Sequence, residues 1–193
     1  MRKVRMVAGA GMALLGCVPA HAEVAASSEA GFLIELAADS TATPTDVWQT
    51  LIAPARWWNA EHTYSGDAAN LYLDAQATGC FCEKLPVPAD APPGQRMGSV
   101  EHLHVIQADP ARRVLRMTGA LGPLQSEAVN GTLTVLITPK DAGSHIAWVY
   151  AVGGTMRFKP SEIAVAVDQV LKDQLARLAA RASESGSSGA VNP

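Results

Sequence analysis

Glu83, His102 and His104 are the residues of this sequence whose types and spacing could do acid–base work or hold a metal. Glu83 ends the run "GCFCE", and the two histidines stand two apart in "EHLHV", which begins at Glu101. In a regular strand residues i and i+2 share a face, so His102 and His104 would point the same way, as paired metal ligands do. A site of that kind needs a further donor on the same face, and Ile106, Gln107 and Ala108 follow instead; no metal is expected. A hairpin between the two segments would set Glu83 against residues 100–104, with register deciding its partner. If Leu103 and Val105 face inward, Glu101 joins Glu83, and two neighbouring carboxylates raise at least one pKa. If Val100 and Ile106 face inward, His102 meets Glu83 in an acid–base pair. A cross-strand pair on the solvent face is the plainest alternative.

Cys80 and Cys82 flank Phe81. Two residues apart on an extended strand, their Cα atoms would lie about 6.5 to 7 Å apart, at the edge of disulfide reach. Two buried thiols are therefore expected, with a C-x-C disulfide as the alternative. The sequence has no Gly-x-Ser-x-Gly, no glycine-rich phosphate loop and no His-Glu-x-x-His, so serine hydrolase, nucleotide-binding and zincin chemistries are dropped. No catalytic residue is assigned and no cofactor is expected.

Several elements must position these residues. "FLIELAA" alternates as a strand, and a helix starts after it, with Thr43 as cap, Pro44 in the first position and Asp46 at the positive end of the dipole. Pro54 ends that helix, and "PARWW" restarts as a brief second one. Three of the four tryptophans fall in "WQTLIAPARWWNAEHTY". Trp57 and Trp58, about 100° apart on a helix, would put one ring into the core and the other at solvent or a cavity mouth. Six strands follow, from "NLYLDA" to "SHIAWVYAV", each bounded by Gly, Pro, Asp or Asn. The proline-rich stretch from Pro86 to Gly98 is a candidate flap. On the last strand Ile146, Trp148, Tyr150 and Val152 form the bulkier face, where Trp148 and Tyr150 offer an indole N–H and a phenol to an apolar pocket. Pro160 starts the longest helix, through Ala182, whose apolar arc holds Ile163, Val167, Val170, Leu171, Leu175 and Leu178. Gln174 falls inside that arc, where an amide needs a buried partner or a wet cavity.

The chain opens with Arg2, Lys3 and Arg5, an apolar run to Val18, and Ala20 and Ala22. This reads as a secretory signal peptide, residues 1–22, cut after Ala22, and hence a periplasmic or secreted protein; "LLGC" offers lipidation at Cys17 as the alternative. No stretch reaches the roughly 18 apolar residues of a membrane span. Cleavage removes three of the 15 basic residues and none of the 18 acidic ones, moving the net charge from −3 to −6, which argues against nucleic acid as a partner. Residues 23–30 read as a linker, 31–182 as one domain, and the Ser/Gly-rich residues 183–193 as a disordered tail.

The order of elements, with "TPTDVWQTLIAPARWWNAEHTYSGDAANLYLD", "GCFCEKL", "GSVEHLHVIQADPARRVLRMTGALGPLQ" and "AVDQVLKDQLARL", resembles the SRPBCC superfamily of START-like helix-grip proteins, near its polyketide-cyclase and chaperone-ATPase-activator relatives. The resemblance covers residues 31–182. It implies an α+β fold in which a curved antiparallel sheet of about seven strands wraps around the long C-terminal helix, with two short helices after the first strand. It also implies a cavity between sheet and helix that holds a small hydrophobic or amphipathic ligand such as a lipid, sterol or polyketide. Trp57, Trp58, Glu83, His102, Trp148, Tyr150, Leu171 and Gln174 are the candidate ligand contacts. The expected function is an exported binding protein, and the alternative is a cyclase or hydrolase acting in the same cavity.

Overall fold

The computed structural model describes residues 21–189. Eight strands form one antiparallel sheet: β1 (His21–Ser28), β2 (Gly31–Ser40), β3 (Leu71–Leu73), β4 (Cys80–Leu85), β5 (Gly98–Asp109), β6 (Val114–Gly119), β7 (Ala128–Lys140) and β8 (Gly143–Thr155). Their order across the sheet is β1-β2-β8-β7-β6-β5-β4-β3. Helix α1 (Pro44–Leu51) and the long helix α2 (Pro160–Gly189) complete the core, and α2 packs on β1, β2 and α1. Register shifts interrupt the β1–β2, β4–β5 and β5–β6 pairings, which is how a sheet bends out of plane.

Local chemistry explains the elements. The Thr43 hydroxyl accepts from the Asp46 N–H, with Pro44 opening α1. A 3-10 turn at Pro54–Arg56 replaces the expected second helix, and Trp57 caps it. On β8 the face of Ile146, Trp148, Tyr150 and Val152 is buried, and α2 answers with Ala164, Val167, Leu171, Leu175, Leu178 and Ala182. Removing this apolar surface from water, at about 25 cal/mol per Å², is the main force holding helix to sheet. Gly131 is a close-approach position: a Cβ there would stand 2.5 Å from the Tyr150 ring. That contact lets the Tyr150 hydroxyl donate to the Gly119 carbonyl and accept from the Leu121 N–H, tying the segment after β6 to the sheet.

Three expectations are corrected. The linker at 23–30 is largely the edge strand β1, with Val24 packed on the core; its Ala and Ser residues give too weak an alternation to read as a strand, and pairing with β2 supplies the order. The tail expected from Ser183 continues α2 to Gly189. The Ser183 and Ser185 hydroxyls bond back to the Ala179 and Arg181 carbonyls, and Ser40 holds Ser183 from the sheet. Cys80 and Cys82 form a disulfide, with Cα atoms 5.4 Å apart. The pair sits at the β4–β5 register shift, where the strand is contracted below its regular repeat. Residues 1–20 of the expected signal peptide, Cys17 among them, lie outside the described residues.

Candidate ligand-binding site

The register shift decides what Glu83 meets. Phe81 pairs with Leu103 but Cys82 pairs with Glu101, so His102 is an extra residue on β5. Leu103 and Val105 face the core, and His102 turns inward beside them instead of outward. Each of the two registers weighed from sequence is therefore half right. Glu101 points outward to His104, 3.1 Å away, and His102 and His104 do not share a face. Among the described residues no cluster of metal-ligating side chains forms.

Glu83 is 0% exposed and His102 5%. The His102 Nε2 stands 2.9 Å from Glu83 Oε2, and the carboxylate also accepts from the backbone N–H groups of Tyr64 at 3.0 Å and Ser65 at 2.5 Å. Burial pushes the Glu83 carboxyl up, but the hydrogen bonds from Ser65, Tyr64 and His102 outweigh it and hold the group below its ordinary value. Burial pushes the His102 imidazole down further than Glu83 lifts it. The pair is thus a carboxylate and a neutral imidazole near pH 7, with Nε2–H donating to Glu83 and the Nδ1 lone pair without a partner among the described residues. Phe81 stacks on the ring of His102, with centroids 4.9 Å apart.

His102 is at the wall of a cavity of about 420 Å³, open to solvent. Its apolar side is α2, through Ile163, Ala166, Val167, Val170 and Leu171. The rim is made by His62, Thr63 and Tyr64 on one side and by Leu121, Gly122 and Pro123 on the other. The single Tyr64 hydroxyl proton is within reach of the Gly122 carbonyl and of Gln125 Oε1, joining the two rims. Trp58 lines the cavity, with its indole N–H on the His62 carbonyl, and its ring packs 5.0 Å from Phe81 and 5.4 Å from Trp57.

No family model matches the sequence, and no curated protein does. Solved structures do match. An uncharacterised protein of Rhizobium leguminosarum is 17% identical with a TM-score of 0.55, over 86% of this chain and 99% of that one. A protein of Rhodobacter sphaeroides is 15% identical with a TM-score of 0.53, over the same 86% and 99%. Ara h 8.0201, whose fold is of the START type, is 13% identical with a TM-score of 0.51, again over 86% and 99%. The fold is helix-grip.

The helix-grip frame brings Trp58, His102 and Leu171 to the cavity and leaves other sequence candidates elsewhere. Trp57 is buried, its indole N–H on the Thr50 carbonyl and its ring against Trp148. Trp148 borders only a small apolar void of about 20 Å³, and Tyr150 is spent on Gly119 and Leu121. Glu83 does not line the cavity itself and meets it through His102 and the Tyr64 N–H. The Pro86–Gly98 stretch does not line it. Sequence reasoning missed the rim, from His62 to Tyr64 and from Leu121 to Pro123; its one signal was the aromatic and glycine-proline content of two short connections.

Gln174, 0% exposed, accepts from the Asn59 N–H at 2.9 Å and does not line the cavity. It ties α2 to the turn that carries Trp58. Gln174→Leu is expected to orphan that N–H and cost about 1 to 3 kcal/mol in urea denaturation, leaving probe binding unchanged.

The dyad also sets a pH dependence. With the folded-state pKa of His102 below its ordinary 6.5 and that of Glu83 below 4.5, the unfolded chain takes up protons that the folded chain resists. Stability is complete above pH 6.5 and falls as pH drops, first through His102 and then through Glu83. Melting temperatures measured from pH 7.5 to 4 should show this fall, and His102→Gln should remove the part that begins near pH 6.5.

Proposed function

We propose that this protein is an exported binding protein for a small amphipathic molecule, held with its apolar part along α2 and a polar group on His102. The observation that carries the reading is one buried polar pair that presents His102 at the wall of a largely apolar, open cavity of about 420 Å³. Such a site fits a ligand with a hydrocarbon body and a hydroxyl or amine that donates to the His102 Nδ1. Export is inferred from the basic and apolar N-terminal residues, and the disulfide fits an oxidising compartment. The SRPBCC likeness and the helix-grip neighbours support a lipid, sterol or polyketide-like ligand class.

One observation favours the second reading, a cyclase or hydrolase in the same cavity. A carboxylate that orients a neutral imidazole is the arrangement of a general base, and Glu83 is itself oriented by two backbone N–H groups. Titration with fluorescent fatty-acid and sterol probes tests the binding reading: saturable binding weakened by His102→Phe supports it, and no binding of any probe counts against it. Turnover of a bound probe that is lost in His102→Gln would instead support the enzyme.

A further inference from the structure

The bulge that turns His102 inward leaves Glu101 and His104 together on the outer face of the sheet, beside the disulfide. Cys80 is directly across from His104, and Cys82 from Glu101. Directly opposed residues have Cβ atoms about 4.5 to 5.5 Å apart, so the imidazole and the Cys80 sulfur are cross-strand neighbours. Glu101 Oε1 holds the His104 Nδ1 at 3.1 Å and leaves Nε2 with no partner among the described residues. The remaining groups facing the pair are Tyr72 across from Cys82, Lys84 over the Tyr72 ring, and Thr118 across from His104.

A disulfide that closes a loop over one residue does little to constrain an unfolded chain, so stabilisation is a poor explanation for it. Its surroundings match those of reactive cysteines instead. Half-exposed Cys80 meets solvent beside an oriented imidazole, and Cys82, 6% exposed, stands behind it. An open, polar hollow of about 430 Å³ runs alongside, lined by Glu101, His104, Thr118, Gln125 and Asn130. It has room and hydrogen-bonding groups for a small peptide-like thiol.

We propose that this outer face is a second site, a thiol–disulfide exchange centre for small polar thiols of the glutathione class, with Cys80 as nucleophile, Cys82 as resolving thiol and His104 as proton carrier. In the reduced protein the Cys80 thiol gives its proton to His104. The thiolate attacks one sulfur of a substrate disulfide, whose S–S bond breaks, and the departing thiolate takes the proton from His104. Cys82, losing its proton in turn, attacks Cys80 Sγ, closes the Cys80–Cys82 bond and expels the second substrate thiolate, which is protonated. Two electrons and two protons pass from the protein to the substrate, and glutathione in excess runs the cycle backward to reduce the pair. The site is independent of the cavity reading.

The test equilibrates the folded, full-length protein in buffers of varied reduced-to-oxidised glutathione ratio, with parallel samples in dithiothreitol. Acid quenching, alkylation and intact mass then count the free thiols. The pair is expected to pass from oxidised to reduced across the glutathione series without loss of tryptophan fluorescence. His104→Ala, a half-exposed position that leaves the core intact, should slow exchange about tenfold at pH 7 and much less at pH 9, where thiols ionise unaided. Cys82→Ser should trap glutathione on Cys80, and Cys80→Ser should trap much less. Exchange with dithiothreitol alone would overturn the assignment to glutathione-class thiols. A pair that yields only after unfolding, or an exchange rate that His104→Ala leaves unchanged at both pH values, would overturn the centre itself.

Discussion

Glu83→Ala is expected to cost the folded state about 3–5 kcal/mol, because three donors lose their shared carboxylate acceptor and each unsatisfied group costs about 1–3 kcal/mol. The side chain is 0% exposed and satisfies three donors at once: the Tyr64 and Ser65 N–H groups and the His102 ring. Alanine leaves all three without their acceptor. Glu83→Gln keeps one acceptor oxygen but turns an amide NH2 toward a donor, so an intermediate loss is expected. Urea denaturation at pH 7 checks both. A Glu83→Ala protein within about 1 kcal/mol of wild type would show that the network is not buried as described. Because Tyr64 belongs to the cavity rim and Ser65 follows it, the same variant should also loosen the rim, seen as faster amide exchange from His62 to Asn70.

The second large effect is on binding. Ala166 is exposed on α2 and lines the cavity, outside the packed stripe of Val167 and Leu171. Ala166→Trp puts an indole into the space assigned to the hydrocarbon part of the ligand while disturbing no core contact. Probe affinity is expected to fall at least tenfold, about 1.4 kcal/mol, with melting temperature unchanged. Unaltered affinity would place the probe elsewhere on the molecule.

The order of elements was legible because its signals are long and periodic, and the helix-grip arrangement followed from the family resemblance. Strands β4 to β8 carry clear alternation bounded by turn residues, and the stripe of α2 runs over several turns. The weak edge β1, rich in Ala and Ser, takes its order from β2 and could not be read alone. The site depended on one extra residue. A strand period of two assigns His102 and His104 to one face and forces a choice between Glu101 and His102 as the partner of Glu83. The bulge sets that period aside, and nothing local in "EHLHV" announces it. The Cys80–Cys82 bond stood only as the alternative for the same reason, since regular strand spacing overstates the distance at the contracted position. Gln174 shows a different limit. Its place on the buried arc was correct, but whether its partner was the Asn59 backbone or a ligand depended on a turn 115 residues away in sequence.

The central claim, that the cavity against α2 holds a small amphipathic molecule, is tested most directly by native mass spectrometry of the protein purified from its own cells, run beside Ala166→Trp. The expected spectrum of the wild type contains a non-covalent adduct of small-molecule mass that is released on collisional activation and is missing from the variant. A wild type that is bare in every preparation, or an adduct of equal abundance in both proteins, would contradict the claim.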